Sequence, residues 1–180
     1  MGKMNYRFVR IKSKLLGGNK EIISNYFRKK GCIIGEKCNI GSDISTSESY
    51  LIEIGTNVTI SSEVLFITHD ASVGKVFGKE RISDLCGKIT IGDNCFIGAR
   101  CTILYGVELG NDTIVAAGSV VTKSFLQEKI IIGGNPAKII GDWNSFKSKS
   151  ESLGYSLDNK SFLEKKKEIL DSEQKIIIQR

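Results

Sequence analysis

Aliphatic residues recur at every sixth position through the middle of the chain: Ile91, Ile97, Ile103, Leu109, Val115 and Val121. Glycine follows three of them, at 92, 98 and 110. Four places after each stand Cys95, Cys101, Val107, Thr113, Ser119 and Phe125, small or β-branched except the last. An earlier block keeps the same step, with Ile34-Gly35, Ile40-Gly41, then Ile54-Gly55, Ile60 and Phe66, and two extra residues somewhere in 46–53. An α-helix cannot hold such a set on one side, because six residues turn it by roughly 600°. A flat strand of period two keeps the set together but leaves the adjacent glycines unexplained. The period instead predicts a coil of three short strands, one hexad per flat face, with each repeated aliphatic residue pointing into a prism. Residues eighteen apart then stack, Ile91 with Leu109, Ile97 with Val115 and Ile103 with Val121, at one inter-strand spacing of about 4.8 Å. Small residues at the edges are expected to let the chain turn.

Two segments break the period. Residues 67–90 separate Phe66 from Ile91 and read as a loop thrown out from the coil, and loops of that length in compact domains are usually functional. Residues 142–180 contain an amphipathic helical pattern opening near Asp158, with Phe162, Leu163, Ile169 and Leu170 on one face. At the other end Ile22, Ile23, Tyr26 and Phe27 form a second helical stripe. The expected organisation is an N-terminal helical segment over 1–30, a coil domain over 31–141 with its excursion at about 67–90, and a C-terminal helical extension over 142–180. Both helical ends are placed to cover the open rims of the coil, whose strand edges otherwise invite pairing.

Composition narrows the function classes. The 180 residues are 41% hydrophobic and 26% charged, ordinary for a soluble globular protein, and the apolar runs are too short for a membrane span. The N-terminus lacks the uninterrupted apolar stretch of a secretory signal, so a cytoplasmic location is expected. Five cysteines, at 32, 38, 86, 95 and 101, form no C-x-x-C pair and accompany a single histidine, which argues against disulfides and against a structural or catalytic metal. The net charge of +6 is uneven, with Arg7, Arg10, Lys12, Lys14, Lys20, Arg28, Lys29 and Lys30 in the first thirty residues. The motifs that seat a basic stretch on nucleic acid are missing, so no nucleic-acid partner is expected. Peripheral association of the basic N-terminus with a membrane is the remaining reading of that charge.

The hexads resemble those of the hexapeptide-repeat acyltransferases, and are most similar to the sugar and polysaccharide O-acetyltransferases among them. The resemblance covers roughly residues 31–141. It implies a mainly β fold, a left-handed parallel β-helix with short flanking α-helices at both termini, and a homotrimer with active sites between neighbours. It implies acetyl-CoA as co-substrate and His69, in Thr68-His69-Asp70 at the root of the excursion, as catalytic base. In Ile91-Gly92-Asp93-Asn94-Cys95-Phe96-Ile97-Gly98-Ala99, Phe96 stands where many relatives have a tryptophan lining the acetyl-CoA channel. By the same resemblance Gly98 belongs to that channel and the Ala99 backbone N–H faces the thioester carbonyl. Ala116-Ala117-Gly118-Ser119-Val120-Val121-Thr122-Lys123 is similar to the stretch along the pantetheine arm and phosphates, which brings in Ala117, Gly118, Thr122 and Lys123. Ile132-Gly133-Gly134-Asn135-Pro136-Ala137-Lys138 is similar to the family's last coil, where Asn135 and Pro136 shape the turn and Lys138 reaches the nucleotide end. Relatives often carry another basic residue three places on, where this chain has Gly141.

The chemistry implied is direct transfer of acetyl from acetyl-CoA to a saccharide hydroxyl, with a neutral imidazole taking the hydroxyl proton. Asp70 is a candidate for substrate contact or for orienting the imidazole, although adjacent side chains on a strand point oppositely. Acceptors of the cell envelope, such as capsule or O-antigen precursors, fit first. Antibiotic or other xenobiotic acetylation, simple galactoside or maltose acetylation, and N-acetylation of an amino sugar are the alternatives. A carbonic anhydrase on the same coil needs three imidazoles around zinc, and this chain has one.

Overall fold

The structure, a computed structural model, describes residues 5–78, 80–151, 154–157 and 160–171. The chain divides into two compact units, Met1–Ile140 and Gly141–Arg180.

In the first unit, strands of mostly two or three residues fall on three faces in rotation. The first face carries β1 (Ile33–Ile34), β3 (Ile52–Ile54), β8 (Ile89–Ile91) and β11 (Glu108–Leu109). The second carries β2 (Asn39–Ile40), β4 (Thr59–Ile60), β9 (Phe96–Ile97), β12 (Ile114–Val115), β14 (Ile130–Gly133) and β15 (Lys138–Asp142). The third carries β5 (Leu65–Ile67), β10 (Thr102–Leu104) and β13 (Val120–Val121). Pairing between successive coils is parallel, with Ile91 against Leu109, Ile97 against Val115 and Ile103 against Val121. The earlier block enters the same columns, since Ile54 pairs with Ile91, Ile60 with Ile97 and Phe66 with Ile103. All of these hexad residues are buried, and so are Cys95, Cys101, Val107, Thr113 and Ser119 four places on. Each face thus sends two side chains per hexad inward, and a fully buried isoleucine is worth about 1.5–3 kcal/mol. Strands this short persist because every one is a rung in such a stack.

Small residues turn corners on two of the edges, with Gly106 at φ 76° and Gly118 at φ 75°, but the third is built differently. At the edge between first and second faces the left-handed backbone falls on Lys37, Asn57, Asn94, Asp112 and Lys129, each with φ between 55 and 58°. Their side chains offset part of the strain. Asn57 Nδ2 donates to Asn94 Oδ1 at 2.8 Å, and Asn94 Nδ2 donates to Asp112 Oδ1 at 2.6 Å, a ladder running along the edge. Glycine serves close approach instead: a Cβ on Gly98 would lie 2.5 Å from the Ala117 nitrogen and 2.7 Å from the Val115 oxygen.

The first rung of an open coil leaves carbonyls without a partner strand. Helices α1 (Tyr6–Leu15) and α2 (Glu21–Lys29) cover it. Tyr6, Val9, Ile23 and Phe27 are buried there, with Ile22 and Tyr26 packed beside them. Arg28 closes the polar account, as Nε donates to the Ile34 carbonyl at 2.8 Å and Nη2 to the Gly35 carbonyl at 2.7 Å.

The excursion is more ordered than a loop. β6 (His69–Asp70) and β7 (Leu85–Cys86) pair antiparallel, and α3 (Val73–Phe77) lies between them. The Asp70 carboxylate, which accepts from the Ser72 N–H at 2.8 Å, starts the turn into that helix.

The second unit holds α4 (Trp143–Ser150) and α5 (Phe162–Leu170). Asp142 caps α4 by accepting from the Ser145 N–H at 3.0 Å. Ser161 and Glu164 form a reciprocal capping box that begins α5, four residues after the expected opening near Asp158, which lies outside the described residues. No helix among the described residues is long and apolar enough to cross a membrane.

Candidate active site

His69 leaves the coil directly after β5, because Thr68 is still buried in the third face while the next two residues turn into the hairpin. Its ring is 42% exposed, and Nδ1 lies 2.8 Å from Oε2 of Glu48. That carboxylate oxygen also accepts from Thr68 Oγ1 at 2.9 Å and from Thr46 Oγ1 at 3.1 Å. These hydroxyl and imidazole bonds, led by Thr68, pull the Glu48 pKa down from 4.5 to about 2 despite opposing desolvation. Glu48 is therefore ionised at neutral pH and can only accept, so the neutral imidazole carries its proton on Nδ1. Nε2 is left with its lone pair free.

Glu48 owes its place to an irregularity in the coil. Ile34 pairs with Ile54 and Ile40 with Ile60, twenty residues apart instead of eighteen. Among the described residues no strand occupies 41–48, and a 3-10 turn, Ser49–Leu51, leads back to the first face. The swollen segment presses the Thr46 hydroxyl against that of Thr68 and holds Glu48 under the imidazole. A cleft of about 420 Å³ opens there, walled by His69, Lys30, Thr46, Ser47, Phe66 and Thr68. The sequence reading missed Glu48, Lys30 and Thr46. The two-residue slip in the period was the signal for the first and the last.

Asp70 bonds outside the imidazole–Glu48 pair. Besides the Ser72 N–H, it accepts from Tyr105 Oη at 3.4 Å; the Ser72 hydroxyl and N–H first, then Tyr105 and His69, lower its pKa against desolvation. Opposite His69 on the hairpin stands Cys86, an exposed thiol.

The remaining candidates fall into two groups. Gly98, Ala99, Ala117 and Gly118 gather at the edge between second and third faces, where the Gly118 N–H donates to the Ala99 carbonyl at 2.8 Å. Ala117 and Gly118 are exposed, and Gly118 has open space around it, so this edge is a shallow rail of small residues. Phe96, also exposed, stands on the second face between Thr59 and Ile114. Thr122 and Lys123 leave the third face at the edge where His69 leaves it, two rungs or about 10 Å further along the coil. Lys123 Nζ lies 5.5 Å from the centre of the Phe125 ring. The turn Asn135-Pro136, with a cis bond, sits on the last coil, where the Ala137 N–H donates to the Val120 carbonyl at 2.8 Å, and Lys138 is exposed beyond it. His69 and Ala99 do not meet within one chain. One follows β5 and the other precedes its partner β10, so they stand at opposite ends of the third face. Among the described residues no group of His, Cys, Asp and Glu is arranged to hold a metal ion.

Residues 88–123 match the family model described as the hexapeptide repeat of succinyl-transferase. Protein CapG of Staphylococcus aureus is 39% identical over 133 residues, covering 72% of this chain and 77% of that protein. Among solved structures, the hexapeptide-repeat acetyltransferase VCA0836 of Vibrio cholerae in complex with acetyl-CoA aligns with a TM-score of 0.58 at 22% identity, covering 76% of this chain and 88% of the other. A galactoside acetyltransferase in complex with coenzyme A aligns with a TM-score of 0.55 at 20% identity, covering 87% and 89%. The parallel three-faced coil, the repeat match and the breadth of the CapG identity agree: the chain belongs to the hexapeptide-repeat acyltransferase family.

Proposed function

We propose that the protein is an acetyl-CoA-dependent O-acetyltransferase acting on a saccharide hydroxyl, with His69 as general base. The observation that carries this reading is the Glu48–His69 pair beside a cleft walled by hydroxyls. A sugar hydroxyl is too weak an acid to attack a thioester unaided at neutral pH, and an unprotonated Nε2 can take its proton as the oxygen–carbon bond forms. Glu48 then stabilises the imidazolium. When the tetrahedral intermediate collapses, the carbon–sulfur bond breaks and the proton returns to the leaving thiolate. Thr46, Ser47 and Thr68 suit a polyhydroxylated acceptor, and a cell-envelope saccharide is the class we favour.

The cofactor reading rests on fit. A long thiol chain needs a rail without protruding side chains, and exposed Ala117 and Gly118 offer one, with buried Gly98 assigned to the same channel. Phe96 borders it, the Ala99 N–H serves as oxyanion donor, and Thr122, Lys123, Asn135, Pro136 and Lys138 are assigned to the phosphate and nucleotide end. A backbone donor aimed at the developing oxyanion is worth about 3–4 kcal/mol. Because His69 and Ala99 stand at opposite ends of one face, the reading includes a homotrimer of left-handed coils in which a neighbour's rail meets each histidine.

The test is release of CoA thiol from acetyl-CoA against a panel of saccharides, amino sugars and antibiotics, with wild type and His69→Ala compared. His69→Ala is expected to lower the acceptor-dependent rate by about 10²–10⁴-fold. Equal rates in both proteins remove the base from the mechanism, and release with amines but not alcohols replaces O- with N-acetylation.

A further inference from the structure

We infer that the outer face of α1 is a docking surface for an anionic membrane. The inference goes beyond the acetyl-transfer reading and does not rest on it.

One side of α1 belongs to the protein: Tyr6, Val9 and Ser13 are buried. At 100° per residue these three centre on one direction, and Phe8, Ile11 and Leu15 centre on the opposite one. That outer ridge is open to solvent, with Phe8 67%, Ile11 54% and Leu15 81% exposed, and Leu16 adds 57% at the C-cap. A helix of a soluble protein normally turns such residues inward, so a second apolar stripe facing away from the core requires its own explanation.

The charges around the ridge say what covers it. Lys12 borders it on one side and Arg7 and Lys14 on the other, while the helix YRFVRIKSKL contains no acidic residue. Cations flanking an apolar ridge match a bilayer surface: the ridge enters the boundary between headgroups and acyl chains, and the long basic side chains reach outward to lipid phosphates. A protein partner fits less well. Ten helical residues span about 15 Å, far from the surface that a stable interface of about 800 Å² per partner needs. Acidic side chains complementary to the flanks would also be needed on that partner.

Attachment by this face has a structural corollary. Tyr6, on the inner side of the same helix, lines a cavity of about 650 Å³ that shares Lys30 and Thr46 with the cleft at His69. A helix lying on a bilayer brings that cleft close to the lipid headgroups.

The test is co-sedimentation of the full chain with vesicles of phosphatidylcholine alone and of phosphatidylcholine with phosphatidylglycerol, at low and high salt. Wild type is expected to partition onto the anionic vesicles at low salt and to be released at high salt. The triple variant Phe8→Ser, Ile11→Ser, Leu15→Ser is expected to lose more than about tenfold in partitioning. Neutralising Arg7, Lys12 or Lys14 to Gln is expected to cost about fivefold each. Circular dichroism confirms that the variants keep their helices, since all six side chains lie outside the core. Partitioning that ignores lipid charge, or that survives the triple substitution, overturns the inference. So does a wild type that stays off the vesicles while light scattering shows a larger assembly that the triple variant loses, which assigns the ridge to a second copy of this chain.

Discussion

Nδ1 of His69 lies 2.8 Å from Oε2 of Glu48, a carboxylate that two threonine hydroxyls also bind and that stays ionised down to about pH 2. The pair fixes the ring's tautomer and direction, and His69 lines the cleft. On the proposed reading Glu48 is a positioning residue, acting on the acceptor only through the imidazole. Glu48→Ala is expected to lower kcat by about 10–100-fold with little change in KM for acetyl-CoA, and Glu48→Asp to recover part of the loss. Steady-state kinetics of the three proteins checks this, and a loss confined to KM contradicts it.

The same carboxylate contributes a pH-dependent part of the stability. Its folded pKa is depressed from 4.5 to about 2, so the contribution is complete above about pH 4.5 and is lost as pH falls through about 2. Glu48→Gln lacks that contribution at any pH. Urea unfolding is expected to separate wild type from Glu48→Gln at pH 6, and the separation is expected to shrink steadily between pH 4.5 and 2.

Cys86 stands opposite His69 in the hairpin pairing, and among the described residues the other four thiols are buried. Paired residues of neighbouring strands project to the same side with Cβ atoms about 5 Å apart. Iodoacetamide is expected to label Cys86 first in the native protein and to slow acetyl transfer, whereas Cys86→Ser keeps its activity and resists the reagent. Mass spectrometry of the labelled chain beside the residual rate decides this. Buried Cys32 and Cys95, whose pKa values burial raises to about 11, are expected to react only on unfolding.

Gly98 has no room for a methyl group, because a Cβ there would lie 2.5 Å from the Ala117 nitrogen. The obstacle is backbone on the next coil, which cannot rotate aside. Gly98→Ala is expected to destabilise the coil by about 1–3 kcal/mol, read as a lower Tm.

Asn94 combines φ of 56° with bonds to Asn57 and Asp112. Asn94→Ala is expected to cost about 1–2 kcal/mol because alanine tolerates the left-handed region poorly. Asn94→Gly keeps the backbone comfortable and loses only the exposed ladder, so its thermal midpoint is expected to fall between those of alanine variant and wild type.

The inward rungs were legible before any coordinates, since a side chain that must fill a narrow prism every sixth residue writes its size into the sequence. Ile91 and Leu109, or Ile97 and Val115, could be paired by counting. The corners were less legible: glycine beside an aliphatic residue looks like a turning device, yet it gives passing room to the neighbouring coil, and the turning falls on Asn57, Asn94 and Asp112. Glu48 was hidden for a related reason. It stands where the period fails, and without a period nothing in a linear reading says which way a side chain points. The two surplus residues between Ile40 and Ile54 marked the place without naming the carboxylate. The hairpin containing Cys86 was equally silent, because β7 is two residues long and both are exposed.

The coil closes over the gap left by the excursion. Ile54, Ile60 and Phe66 stack on Ile91, Ile97 and Ile103 thirty-seven positions on, just as Ile91 stacks on Leu109 eighteen positions on. The stretch between Asp70 and Leu85 can therefore change in length or sequence while the scaffold beneath keeps its frame.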